Sequence, residues 1–197
     1  MAQALHYLKE SPSQTAGPYV HIGLTPNALG LPGIFPADLG ASMLAPGVTG
    51  ERIRIEGRIF DGTGTPVKDG LVEIWQAGAD GRYGASAEGF AGWGRSATNL
   101  DTGHFRFYTI KPGAVAMPDG RMQAPHISVW IAARGVNLGL HTRLYFPDEA
   151  EANAADPLLS RLEHQSRVQT LIARREGAVL IFDICLQGGN ETVFLDI

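Results

Sequence analysis

Cysteine is nearly absent: Cys185 is the single one in 197 residues, so no internal disulfide can form. It sits inside the apolar run Val179-Leu180-Ile181-Phe182-Asp183-Ile184-Cys185-Leu186, where a small buried hydrophobe is expected rather than a nucleophile. Without a cysteine pair, structural zinc is not expected. No apolar stretch reaches the roughly 18 residues that a membrane span requires. The segment Met1-Ala2-Gln3-Ala4-Leu5-His6-Tyr7 has neither the basic start nor the apolar centre of a secretory leader. Basic runs are missing as well. Arg174-Arg175 is the densest point and Glu176 follows it, which argues against a nucleic-acid surface. With a net charge of −4, a cytoplasmic protein is expected.

Motifs for phosphate and acyl chemistry are lacking too. There is no Gly-Lys-Ser/Thr loop, and Gly62-Thr63-Gly64 runs into Thr65-Pro66, a turn rather than a helix. No Gly-x-Ser-x-Gly elbow occurs. His126 and Ser128 fall on one face of a predicted strand, with no sequence mark of a triad around them.

What the chain does contain is glycine: 25 of them, with 12 prolines, which favours many tight turns and short strands. A chain of this length buries roughly 70% of its unfolded surface. Residues 1–50 are rich in Pro, Gly, Ser and Ala and read as an irregular N-terminal arm, expected to pack on the domain itself or on a partner subunit. Residues 51–197 read as the folded domain. Ile53, Ile55, Gly57 and Ile59 alternate with Arg52, Arg54, Glu56 and Arg58, the period of a half-buried strand. Further strands are predicted over 71–76, 105–110, 127–132, 142–146, 180–186 and 192–195, with turns at Asp61-Gly62, Asp80-Gly81 and Lys111-Pro112-Gly113. Helical patterns cover only 147–155, where Asp148 and Glu149 suit a first turn, and 158–173. The pattern predicts an all-β, antiparallel β-sandwich with one or two short helices.

Several local runs occur in order: Ser13-Gln14-Thr15-Ala16-Gly17-Pro18-Tyr19, Glu73-Ile74-Trp75-Gln76-Ala77 leading to Asp80-Gly81-Arg82-Tyr83, Thr109-Ile110-Lys111-Pro112-Gly113, Pro125-His126-Ile127-Ser128, and His141-Thr142-Arg143-Leu144-Tyr145-Phe146. Together the sequence resembles the intradiol ring-cleavage dioxygenase family over nearly its whole length. That resemblance implies a β-sandwich and O2-dependent cleavage of a catechol between its two oxygens. It also implies Fe(III) held by two tyrosines and two histidines. Phenolate oxygens suit a hard ferric ion and leave it a Lewis acid for the catecholate.

The four ligand positions fall on Tyr83, Val115, His126 and Ser128. Valine has no donor atom and a serine hydroxyl is a poor ferric ligand, so half the ligand set is lost and affinity with it. Gln123 stands where the family carries a guanidinium three residues before the first histidine. This departure matches the family's α-type chains. It implies that Fe(III) is bound by a partner β subunit in an (αβ)n hetero-oligomer, and that no catalytic residue belongs to this chain alone. The substrate implied is protocatechuate (3,4-dihydroxybenzoate), and the product 3-carboxy-cis,cis-muconate, an intermediate of aromatic catabolism. Its carboxylate suits the donor fork of Arg134. Thr15, Gly17, Pro18 and Tyr19 are expected to wall the ring, Gly17 by close backbone approach. Two alternatives stay open: a self-sufficient metal enzyme using Tyr83, His126, His141 and a carboxylate, and a non-catalytic sandwich of the transthyretin type.

Overall fold

The computed structural model describes residues 14–84 and 89–196; Ser13 and the rest of the arm before residue 14 lie outside that range. In chain order the strands are β1 (Arg52–Phe60), β2 (Leu71–Gln76), β3 (Trp93–Ala97), β4 (His104–Ile110), β5 (Val115–Ala116), β6 (Met122–Gln123), β7 (His126–Ala132), β8 (Leu140–Tyr145), β9 (Arg174–Glu176), β10 (Val179–Ile181) and β11 (Ile184–Cys185). The α-helices are α1 (Pro18–Leu24) and α2 (Ala150–Ala155). The arm therefore carries a helix of its own, begun by Pro18 at its first position, where a missing N–H is harmless.

Alternation in β1 places Ile53, Ile55, Gly57 and Ile59 inward and leaves Arg52 and Arg54 exposed. β1 pairs antiparallel with β4 on one side. On the other it pairs with β10 and β11, both parallel, and β9 closes against β10. The second sheet runs β3-β2-β7-β8 and is antiparallel throughout. The inner faces meet through Ile53, Ile55 and Ile59 with Phe105 and Phe107 of one sheet, and Val72, Ile74, Ile127, Val129 and Ile131 of the other. Each such side chain contributes about 1.5–3 kcal/mol on burial. Met43 and Val48 from the arm join this core. The sandwich of short strands is the expected one, and the parallel pairs are its local departure from antiparallel order.

Several expected elements differ. The strand predicted over 180–186 is two, broken at Phe182-Asp183. There the Phe182 N–H donates to the Glu56 carbonyl at 2.8 Å, while the Arg58 N–H turns to Oδ1 of Asp183 at 3.1 Å. Gly57 makes room for the break: a Cβ there would stand 2.0 Å from the Phe182 carbonyl oxygen and 2.7 Å from Cζ of Phe105. Gly57→Ala is accordingly expected to cost about 3 kcal/mol of stability through overpacking. In urea unfolding, Gly23→Ala, where a Cβ would meet nothing within 4 Å, serves as the control. Equal midpoints for the two variants would contradict the packing just described.

The helix predicted over 158–173 is instead two 3₁₀ turns, Leu159–Arg161 and Gln165–Leu171. The Gln165 side-chain amide donates to the carbonyls of Leu159 (3.0 Å) and Leu162 (2.8 Å), so side-chain bonds replace the ladder of a continuous helix. Asp148 and Glu149 do not enter a first turn, since α2 starts after them. Their carboxylates pair with Lys111. Residues 192–195 make only a bridge, Leu195 to His141, rather than a strand.

A buried polar contact ties the two sheets. Gln76, 1% exposed, donates from Nε2 to the Ile110 carbonyl at 2.9 Å and accepts from the Thr109 hydroxyl at 2.7 Å. A fully satisfied amide of this kind is stable in a core, and it fixes where the Lys111-Pro112-Gly113 turn begins.

Candidate functional site

The loop after β2 and the turn after β4 are laced together. The N–H groups of Gly81 and Gly113 both donate to the Gly78 carbonyl, each at 3.0 Å. Gly81 has φ +75°, and a Cβ on it would meet the Ala114 carbonyl at 2.0 Å. This close approach carries Tyr83 and Val115 toward β7. Tyr83 donates its hydroxyl to Nε2 of His126 at 3.3 Å, because Nδ1–H of that ring is committed to the Ala124 carbonyl at 2.7 Å. Trp75 stacks on one face of Tyr83, with ring centroids 6.3 Å apart.

The electrostatics keep both groups neutral. Burial, helped by the positive charge of Arg143, pushes His126 down from 6.5 to about 4 against the opposing pull of Ala124 and Asp156. Burial raises Tyr83 above the usual phenol range although the residue is partly exposed, and Arg143 opposes that shift. Val115 is buried in β5, and Ser128 on β7 stands opposite Trp75 and Arg143. These four residues do not fit a ferric ion: one has no donor, one is a neutral hydroxyl, and the remaining pair satisfy each other.

His126 therefore takes up a proton near pH 6.5 in the unfolded chain but only near pH 4 when folded. Between those values the unfolded state binds more protons, so stability is full above pH 6.5 and falls as pH is lowered. The expected loss is about 3 kcal/mol by about pH 4. His126→Gln should remove that part of the slope in urea unfolding measured across the window; an unchanged slope would contradict the burial argument.

A second constellation joins the arm to the end of β7. Gly17 precedes α1 with φ −124°, and His21 on α1 is buried and donates from Nε2 to the Asp69 carbonyl at 2.9 Å. Thr15 accepts at its hydroxyl from the Gly135 N–H at 2.8 Å. These two bonds hold the Ala16-Gly17-Pro18 turn beside Arg134, whose Nη2 lies 3.0 Å from Oδ2 of Asp69. The result is a cleft of about 190 Å³ lined by Ala16, Gly17, Pro18, Ile22, Asp69 and Arg134, among others. Of the residues singled out in the sequence, Gly17, Pro18 and Arg134 line it. Thr15 braces it from outside, and Tyr19 is 85% exposed and stands apart. A Cβ on Gly17 would meet nothing within 4 Å, so neither backbone nor packing within the described residues demands glycine there.

His21 and Asp69 were not legible as site residues. The only sequence mark of His21 is its i, i+4 spacing from Thr25, whose hydroxyl lies 3.1 Å from Nδ1. His126 and His141 do not converge. His126 pairs with Tyr145 and His141 with Trp130, so they lie four residues, roughly 13 Å, apart along β8. Among the described residues no helix is long and apolar enough to cross a membrane.

Comparison with known proteins places the chain in a family. The family profile described as dioxygenase matches residues 40–188. The protocatechuate 3,4-dioxygenase alpha chain of Pseudomonas putida is 45% identical over 98% of this chain and 98% of its own. The corresponding beta chain of Burkholderia cepacia is 35% identical over 73% of this chain and 67% of its own. In fold the chain is similar to the 3-chlorocatechol 1,2-dioxygenase of Rhodococcus opacus 1CP, with a TM-score of 0.61 and 20% identity over 78% of this chain and 66% of that one. The chain belongs to the intradiol dioxygenase family, as a subunit of a ring-cleaving enzyme. That family is iron-dependent in general, and the relatives come as alpha and beta chains.

Proposed function

We propose that this chain is the α-type subunit of a protocatechuate-cleaving intradiol dioxygenase, and that a companion β chain holds the Fe(III). The observation that carries this reading is a division within one molecule. The positions that hold iron in the family retain two donors bonded to each other. An arginine suited to a carboxylate, meanwhile, stands over a cleft closed by the arm. In the cytoplasmic (αβ)n assembly the chain supplies binding and orientation. Arg134 takes the substrate carboxylate, directly or through a water, and swings the opposite edge of the ring, with its two hydroxyls, toward the partner. Gly17 leaves room for the ring where a side chain would stand, and Pro18 walls it. Both atoms of O2 enter the product as the bond between the two hydroxyl-bearing carbons breaks, giving 3-carboxy-cis,cis-muconate.

Residues 1–50 act here as the docking arm and residues 51–197 as the sandwich domain. Tyr19, Ile22, Leu31, Ile34 and Leu39 are all exposed along the arm, more apolar surface than a free segment of this length gains by displaying. The β chain is the proposed cover for it, with Tyr19 and Thr15 at the edge of the shared pocket. The test is whether the effect of removing Arg134 depends on the carboxylate of the substrate.

A further inference from the structure

We propose that Arg143 and Arg161 form a binding site for a small single-ring carboxylate, in a cleft between β6 and the first 3₁₀ turn after α2. The cleft measures about 290 Å³, enough for one ring and its acid group, and it shares no lining residue with the Arg134 cleft. Met117, Leu158 and Leu162 give it an apolar wall.

The charge on the other wall is unspent. Arg143 donates from Nη1 to Oε1 of Gln123 at 2.7 Å and to the Tyr145 hydroxyl at 3.4 Å. Among the described residues its Nε–H and Nη2–H donors have no acceptor, and no carboxylate of those residues lies within ion-pair distance of it. Asp156 shares the Tyr145 hydroxyl, but its oxygens already accept from the N–H groups of Ala124, Leu158 and Leu159. Arg161 lines the same cleft, exposed and without an ion pair among the described residues. Arg121 at the cleft is neutralised by Asp119 at 2.6 Å.

A half-buried guanidinium with three unused donors favours an anion over water. The edge left free, Nε with Nη2, is the one that meets the two oxygens of a carboxylate side by side. The apolar wall selects a hydrocarbon body over inorganic phosphate. The field of Arg143 is felt within the fold, since it helps hold His126 neutral.

Equilibrium dialysis of the full chain with radiolabelled benzoate, and with benzamide as neutral isostere, tests the site. An Arg134→Ala background silences the other arginine cleft. Benzoate should bind at about one per chain, and benzamide at least about tenfold more weakly. Adding Arg143→Gln should weaken benzoate about tenfold or more. Adding Arg161→Gln, a surface change that leaves the fold alone, should weaken it about threefold. Equal binding of benzoate and benzamide, no effect of either variant, or no saturation by about 10 mM would overturn the proposal.

Discussion

Replacing Arg134 with alanine is expected to raise KM for protocatechuate about 100-fold while changing KM for catechol less than about twofold. The contrast follows from what Arg134 is bonded to in the chain. Its side chain is 73% exposed, and its ion pair with Asp69 is a surface pair of the kind that contributes about 0–1 kcal/mol. Exchanging that partner for a substrate carboxylate is therefore cheap. The new contact forms in a pocket that the arm and the bound ring close to water, where a charge-assisted pair contributes about 1.5–3 kcal/mol. Catechol has no carboxylate and gains nothing from the guanidinium, so its KM reports everything else the substitution does. kcat for protocatechuate should fall less than KM rises, because the carboxylate contact is made alike in the ground state and the transition state. Equal changes for the two substrates would remove the carboxylate role and with it the proposed orientation of the ring.

The second large effect concerns iron. Purified without a partner, the chain is expected to be colourless and to lack stoichiometric metal. Coexpressed with a β chain, the complex should show the tyrosinate-to-iron charge-transfer band, about one iron per αβ pair, and oxygen uptake with protocatechuate. The reason lies in Tyr83 and His126. The lone pair a metal would take on Nε2 accepts the Tyr83 hydroxyl, and the phenol is held in its protonated form. Val115→Tyr combined with Ser128→His in the isolated chain adds back the missing donors and should bring measurable iron binding. A full equivalent of iron on the unmodified chain, with no β chain in the preparation, would refute the division of labour proposed above.

Which parts of this were legible in the sequence follows from the range of the interactions. β1 announces itself because Ile53, Ile55 and Ile59 alternate with charges over nine residues, a local pattern that tertiary context merely completes. Tyr83 and His126 lie in short local runs that the sequence displays directly, and the fold brings them within 3.3 Å of each other. β3 was missed: Trp93 to Ala97 has no alternation and becomes a strand only by pairing with β2. The break at Phe182-Asp183 was hidden because its cause, the bare Cα of Gly57, lies far off in the chain. Likewise the two 3₁₀ turns replace a helix through the side chain of Gln165, which periodicity does not register. The brace around Arg134 was invisible for the same reason. His21 and Asp69 meet only after the arm has folded back across the domain.

The parallel pairing of β1 with β10 and β11 also governs when the domain can come together. Arg58 finds Asp183 across 125 residues, so during synthesis one flank of β1 stays bare until Asp183 and its neighbours have left the ribosome. Until then its unmet amide and carbonyl groups form a sticky edge. Closure waits on pairing between segments this far apart in the chain, which makes for slow folding. A stop codon before residue 179 would leave that edge permanently open, and such fragments should be found in inclusion bodies rather than as a smaller folded unit.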